Sequence, residues 1–368
     1  MDAITPGSRL ETKNTTCCTV TLEGLATAVP PNIMPQEVVK NLAREMLGDR
    51  YEDFARLSSI MQNAGIKSRY LAQPAAWYAE NHDFGARNDA YLEVATDLFK
   101  QAALKALDDA SMVPEDIDYI VTVSSTGVAT PTLDARAMQE IGFRLDVHRV
   151  PVFGLGCAGG VTGLAIATKL ARAAPDTKVL MVTIELCSLS FNTNNPSKSD
   201  FVATVLFGDG AAAVCLHSKA GRNDKGITIG EGTEHLWRDT LDNMGWDVNA
   251  NRLGVILDRS IPKFTRDNLR SVVDEALIKA ELEIDDIDRF VCHPGSVKVI
   301  SAIESCLELK SGTLDHENAI MRDYGNMSAP TVLFVLQRVL AERKPGQYMM
   351  TSLGPGFTAS FLPVKIHD

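Results

Sequence analysis

The chain repeats itself at a spacing of 170 residues. Gln101–Thr126 reads QAALKALDDASMVPEDIDYIVTVSST and Ser271–Ser296 reads SVVDEALIKAELEIDDIDRFVCHPGS, with 7 of 26 positions identical and Asp-Ile-Asp shared. Each copy predicts an amphipathic helix, an acidic turn and a β-rich run. The same spacing pairs Cys157–Val182 with Met327–Ser352, including Pro175 with Pro345 at the exit of a helical segment. A third pairing, of Phe207-Gly-Asp-Gly-Ala-Ala-Ala-Val with Leu353-Gly-Pro-Gly-Phe-Thr-Ala-Ser, is displaced by 146. The first half therefore carries 24 extra residues between Val182 and Phe207. They are polar and turn-rich across Ser190–Asp200, the kind of loop that borders a site. Separate blocks at one spacing make chance likeness between amphipathic segments a poor explanation. Two related α/β halves are predicted, 17–222 and 223–368, joined near Lys219–Lys225, after a polar tail over 1–16. Short apolar runs such as Tyr119–Val123 and Phe290–Cys292 suit strands buried on both faces.

Composition narrows the function classes. A net charge of −11 disfavours nucleic acid and anionic membranes as partners. The apolar run Val179–Ile184 is stopped by Glu185, so no membrane span is expected, and a cytoplasmic protein follows. Seven cysteines without regular spacing argue for a reducing compartment and against a disulfide framework or a zinc site. Gly154-Leu-Gly156 lacks the spacing of a dinucleotide fingerprint, and there is no P-loop.

That Gly-Leu-Gly leads instead into Cys157, in Val152-Phe-Gly-Leu-Gly-Cys-Ala-Gly-Gly160, where an apolar run gives way to a helical pattern over Val161–Leu170. Unpaired N–H groups and the positive dipole end at a helix start lower a thiol's pKa, and Gly156 allows a tight elbow. Taken alone, the segment reads equally well as a packed Gly-rich helix start. His293 follows a predicted buried strand in Phe290-Val-Cys-His-Pro-Gly295, and Asn326 precedes an apolar helix predicted over Ser328–Ala341. Singly these read as a structural histidine and an ordinary cap. Their matching places at strand ends and helix starts of the two halves let the three meet in one crevice.

Five motifs in this order resemble a type III polyketide synthase, chalcone/stilbene synthase-like, of the thiolase superfamily. They are Gly-Cys-Ala-Gly-Gly at Cys157, Leu-Phe-Gly-Asp-Gly-Ala-Ala-Ala at Leu206–Ala213, His-Pro-Gly at His293, Tyr-Gly-Asn-Met-Ser at Asn326, and Gly-Pro-Gly at Gly354–Gly356. The resemblance covers nearly everything after about residue 20. It implies a five-layered αβαβα fold of two similar halves, a homodimer, and malonyl-CoA and acyl-CoA as substrates with no metal or redox cofactor. It implies that Cys157 takes the acyl group, that His293 supports a Cys157 thiolate as an ion pair, and that His293 and Asn326 bind the thioester carbonyl of malonyl-CoA during decarboxylation. An enolate oxygen facing two donors is a sound basis for such catalysis.

Departures from the family pattern shape the substrate expectation. Phe207 matches an aromatic between the CoA tunnel and the cavity, but its usual aromatic partner is Val255 here, which opens the cavity. Cys187 and Ser190 stand where plant members carry cavity threonines, and the compact, apolar Cys187 suits an alkyl chain. Ser328 keeps the cavity serine, while Gly354, Pro355 and Gly356 keep the end of a cavity loop whose first two positions differ. A medium- or long-chain fatty acyl-CoA starter, closing to alkylpyrone or alkylresorcinol as in fungal and bacterial members, is therefore expected. Of the family's basic cluster for CoA only Arg56 clearly matches, with Lys298, Lys67 and Arg69 as compensating cations. The alternative is a single-condensation ketoacyl-carrier-protein synthase of the initiating type. Those enzymes usually show Gln-Ala-Asn, whereas Tyr-Gly-Asn carries the asparagine here. A lipid-binding scaffold would have lost part of the triad, and a redox thiol would need a CxxC partner for Cys157.

Overall fold

A computed structural model describes residues 18–47, 58–59, 61–191 and 197–368; the predicted polar tail lies outside the described residues. The duplication survives in the elements themselves. In the first half the helix Phe84–Asp109 is followed by a short 3-10 turn, Pro114–Asp116, and then a strand, Tyr119–Val123. In the second half come the helix Ile261–Lys279, the turn Ile284–Asp286 and the strand Arg289–Cys292, with the helix end, the turn and the strand start displaced by the same 170 residues. The shared Asp-Ile-Asp explains why. Its first Asp accepts a backbone N–H across the turn, Val113 to Asp116 at 3.0 Å and Glu283 to Asp286 at 2.8 Å. Its second Asp accepts from the first residues of the neighbouring strand, Lys178 to Asp118 at 2.9 Å and Gln347 to Asp288 at 2.8 Å. One tripeptide thus ends a helix–turn unit and sets a strand start in both halves.

In chain order the strands are β1 Cys18–Ala28, β2 Asn32–Pro35, β3 Ser68–Leu71, β4 Tyr119–Val123, β5 His148–Val152, β6 Lys178–Leu186, β7 Asp209–Ala220, β8 Ile227–Ile229, β9 Thr233–Leu236, β10 Met244–Val248, β11 Leu253–Leu257, β12 Arg289–Cys292, β13 Gly346–Gly354 and β14 Thr358–Ile366. The large sheet runs β12-β13-β14-β8-β1-β7-β6-β4-β5, with β9 beside β14, so β8 joins the sheets of the two halves. Parallel pairs β4–β6 and β12–β13 are matched by antiparallel pairs β6–β7 and β13–β14.

Five layers follow from which faces these strands bury. Along β6, Val179 and Met181 face a central core with Val161, Leu164, Leu333 and Leu336, whereas Leu180, Val182 and Ile184 face an outer core with Leu98, Phe99 and Ala103. In the second half Met350 and Leu362 join the central core, and Met349 and Phe361 face the other outer core under Ile261–Lys279. Two helices, Gly159–Arg172 and Thr331–Ala341, therefore lie between sheet halves, with the long helices outside. This is the α/β architecture of five layers expected from the resemblance. The second central helix begins at Thr331 rather than Ser328, because Pro330 has no N–H to give and the Thr331 hydroxyl accepts from Met327 N at 2.9 Å and donates to Ser328 O at 2.8 Å.

The two central helices touch at Gly160, where a Cβ would stand 2.3 Å from the Ala329 carbonyl oxygen and 2.6 Å from Val332 Cγ1. Gly160→Ala is expected to lower unfolding stability by about 1–3 kcal/mol through overpacking, read as a lower urea midpoint at unchanged slope. Gly245→Ala, where a Cβ meets nothing within 4 Å, is the control and should stay within about 0.5 kcal/mol.

Candidate active site

Cys157 sits in the 3-10 turn Gly156–Ala158 that feeds directly into Gly159–Arg172. The elbow is held by Ser125, at the end of β4, whose hydroxyl accepts from Gly154 N at 3.1 Å and Gly156 N at 3.3 Å. Gly156 has φ +48, and a Cβ there would meet the Pro355 ring at 2.8 Å, so both conformation and space require glycine. His293 follows β12, its N–H donating to Thr351 O at 2.8 Å. Asn326 is fixed by a two-residue bridge to Phe207: Asn326 N donates to Leu206 O at 2.8 Å, and Gly208 N donates to Asn326 O at 3.0 Å. Its side-chain oxygen accepts from Ser328 N at 2.8 Å and its amide nitrogen donates to Gly295 O at 3.2 Å. That orients the NH2 group, which also hydrogen-bonds Cys157.

Cys157, His293 and Asn326 line one cavity of about 850 Å³, together with Phe207, Cys187, Val255, Ser328 and Pro355. Its remaining wall is largely aliphatic and aromatic, with Phe201, Val202, Met244, Trp246, Ile256, Leu257 and Leu353. Ser190 does not join this wall. Its hydroxyl turns back to donate to Cys187 O at 2.7 Å, because the two residues sit three apart in one 3-10 turn. Gly354 lies behind the elbow, where a Cβ would strike Ala158 at 2.6 Å, and Gly356 also stands off the cavity, its carbonyl accepting from Thr240 Oγ1 at 2.9 Å.

Of the expected CoA cations, Lys298 lines the cavity and is exposed, and Arg56 lies outside the described residues. Lys67 is exposed but off the cavity. Arg69 is wholly buried and cannot meet a solvent-borne phosphate: its guanidinium donates to the carbonyls of Thr204 and Phe207 and is attracted by Asp209. Sequence reasoning missed Arg259, an exposed cation on the cavity wall, and Trp246, whose indole N–H donates to Ser125 O at 2.7 Å. It also missed the polar hub formed by Ser125 and the buried Glu185, whose carboxylate accepts from Ser125 N at 3.0 Å. No motif spacing marks these residues; only the position of Ser125 at a strand end was a usable signal.

The electrostatics depart from the expected ion pair. Burial pushes the Cys157 thiol up to about 11, outweighing the lowering from its hydrogen bonds with Ser328 and Asn326. Burial pulls His293 down to about 3, and neither ring nitrogen has a partner among the described residues. Glu185 is pushed up to about 8 by burial, and its ionised form opposes a thiolate at Cys157. Burial therefore favours the neutral thiol and the neutral imidazole in a cavity without substrate. A helix start loses to desolvation when the thiol is 7% exposed.

Comparison with known proteins places this geometry. The family model for the chalcone and stilbene synthase N-terminal domain matches residues 8–220, and that for the C-terminal domain matches 233–364. The chain is 38% identical over 344 residues to 1,3,6,8-tetrahydroxynaphthalene synthase of Streptomyces peucetius, covering 92% of this chain and 91% of that one. It is 35% identical over 351 residues to a putative chalcone synthase of Bacillus subtilis, covering 92% and 96%. The crystal structure of 1,3,6,8-tetrahydroxynaphthalene synthase from Streptomyces coelicolor superposes with a TM-score of 0.88 at 27% identity, over 95% of this chain and 99% of that one. PKS-I from the brown alga Ectocarpus siliculosus gives 0.88 at 27%, over 96% and 100%.

The neutral pair has a kinetic signature. Alkylation of Cys157 by iodoacetamide, followed as the mass shift of its peptide, should rise about tenfold per pH unit from 7 towards 10 without levelling. A rate already level at neutral pH would mean that the thiolate–imidazolium pair forms in solution.

Proposed function

The chain belongs to the chalcone and stilbene synthase family of type III polyketide synthases, and from that premise we propose a decarboxylative condensation run by Cys157, His293 and Asn326. The supporting observation is that one thiol, one imidazole with both nitrogens unpartnered and one oriented amide share the wall of a single apolar cavity. The Cys157 thiol attacks the thioester carbonyl of the starter. Its proton passes to the basic nitrogen of His293 and then to the departing CoA thiolate, leaving an S-acyl Cys157 and free CoA. Malonyl-CoA loses carbon dioxide, and the electron pair left behind is held as an enolate whose oxygen accepts from the His293 N–H and the Asn326 amide. The enolate carbon attacks the acyl group, the C–S bond breaks, and a Cys157 thiolate is released beside an acyl-CoA two carbons longer. Neutral donors suit this step, since a permanent imidazolium would bind the ground-state carboxylate as well.

The starter is a medium- or long-chain fatty acyl-CoA, and the product an alkylpyrone or alkylresorcinol. The aliphatic wall and a volume high in the usual range of about 300–1,000 Å³ support this reading. Lys298 and Arg259 on the cavity wall are the proposed partners of the CoA phosphates, with Arg56 as a third cation. A second reading rests on the 38% identity to a tetrahydroxynaphthalene synthase. It gives a fused hydroxylated aromatic that carries no alkyl chain.

Incubation with malonyl-CoA and starters from acetyl- to stearoyl-CoA, read by mass spectrometry, separates the two. Alkylated products that vanish in Cys157→Ala are expected, with Val255→Phe shortening the longest accepted starter. Malonyl-CoA alone giving a naphthalene-type product, with no alkylated series, would establish the second reading. Product formation only with added carrier protein would replace both by a single-condensation synthase.

The active form is proposed as a homodimer closed over the free edge of β5. This strand ends the large sheet among the described residues; Phe153, just after it, is 61% exposed, and Val128, in the loop after β4, is 49% exposed. Light scattering should give twice the 39.9 kDa chain mass, and Phe153→Asp with Val128→Asp should shift it towards one.

A further inference from the structure

Two segments outside the duplicated core line the cavity and pack against each other. The helix Lys198–Leu206 supplies Ser199, Phe201, Val202 and Leu206, and the β10–β11 hairpin supplies Met244, Trp246, Val255 and Leu257. An ion pair joins them. Arg252, just before β11, donates from Nη1 to Asp200 Oδ1 at 2.8 Å and from Nη2 to Asp200 Oδ2 at 3.2 Å, and again from Nη1 to Ser190 O at 3.2 Å. The two side chains are 15% and 4% exposed. Asp200 is itself locked by a capping box, its carboxylate accepting from Ser197 N at 2.9 Å while its own N–H donates to Ser197 Oγ at 3.2 Å. Neither Arg252 nor Asp200 lines the cavity.

We propose that the Arg252–Asp200 pair is a clasp of positioning residues that sets the gap between the helix and the hairpin, and thereby the longest acyl chain the cavity accepts. The proposal rests on the condensing reading above. A bidentate guanidinium–carboxylate pair fixes distance and angle together, which a single Lys–carboxylate contact does not. Burial keeps solvent and salt from loosening it. Another polar tie of the hairpin, Trp246 to Ser125 O, lies on β10, so losing Arg252 loosens the β11 side while β10 stays tied. That side carries Val255, Ile256 and Leu257 on the cavity wall.

The test uses the full chain with Arg252→Gln, Asp200→Asn and the double variant. Amides of residues 244–257 should exchange with deuterium at least about tenfold faster in each variant, while those of β6 stay unchanged. Cys157 should still be acylated, seen as a mass shift, and the longest accepted starter should lengthen by at least two carbons. The double variant should do no more than either single one, because both break the same interaction. Arg252→Lys should recover only part of the wild-type limit. Unchanged exchange over 244–257, or additive effects of the two substitutions, would overturn the clasp. So would faster exchange with an unchanged chain-length limit. If the wild type takes no acyl group on Cys157, the condensing reading fails instead, and the exchange result still decides whether the clasp holds the hairpin.

Discussion

The site depends on a crossing of two backbones, Leu206-Phe207-Gly208 from the first half and Tyr324-Gly325-Asn326 from the second. The two hydrogen bonds of the Phe207–Asn326 bridge place a cavity aromatic and a candidate oxyanion donor in one register. The approach is possible because neither neighbour has a side chain. A Cβ on Gly208 would lie 2.4 Å from Tyr324 O, and one on Gly325, at φ +70, would lie 2.7 Å from Leu206 O. Beneath the crossing, buried Arg69 gathers the carbonyls of Thr204 and Phe207, while Asp209 accepts from Ala72 N at 2.6 Å and Ser188 N at 2.8 Å. Burial draws these two charges towards neutrality, Arg69 down to about 10 and Asp209 up to about 7, while their mutual attraction resists it.

The same burial that positions the groups sets their protonation. A thiol in an apolar cavity resists ionisation, and a desolvated imidazole resists protonation, so both start neutral. In the proposed condensation, charge appears only when substrate brings it, as an enolate oxygen facing His293 and Asn326. A water-filled site would ionise the thiol more readily and would also hydrolyse the acyl intermediate. Reactivity of the free thiol is thus exchanged for protection of the loaded one.

What could be read from the sequence was what is done by backbone geometry. Asp-Ile-Asp repeats because both halves need the same turn capped and the same neighbouring strand started, and that need is local enough to leave identical residues. Cys157, His293 and Asn326 were legible because strand ends and helix starts recur at the same spacing. Ser190 misled because three residues in a 3-10 turn bring a side chain over its own backbone, not across a cavity. Arg69 misled for a different reason: an Arg near other polar residues looks solvated, and only the tertiary crossing buries it. Across Ser190–Asp200 a loop was expected, yet Ser197 and Asp200 make a capping box and start a helix at Lys198, a signal that was present three residues apart.

The duplication also explains where variation is tolerated. Elements that both halves share build the five layers and deliver the thiol, the imidazole and the amide, so a change in them disturbs core and chemistry together. The 24 extra residues of the first half and the β10–β11 hairpin of the second have no counterpart in the other copy. They add no layer to the core, yet they supply much of the cavity wall. A wall made of such segments can change shape at little cost to folding, provided something fixes the two segments relative to each other. A hydrophobic seam there would compete with an apolar chain for the same surface. A buried, directional ion pair set back from the lining does not, which is why Arg252 and Asp200 can hold the wall without occupying the space it encloses.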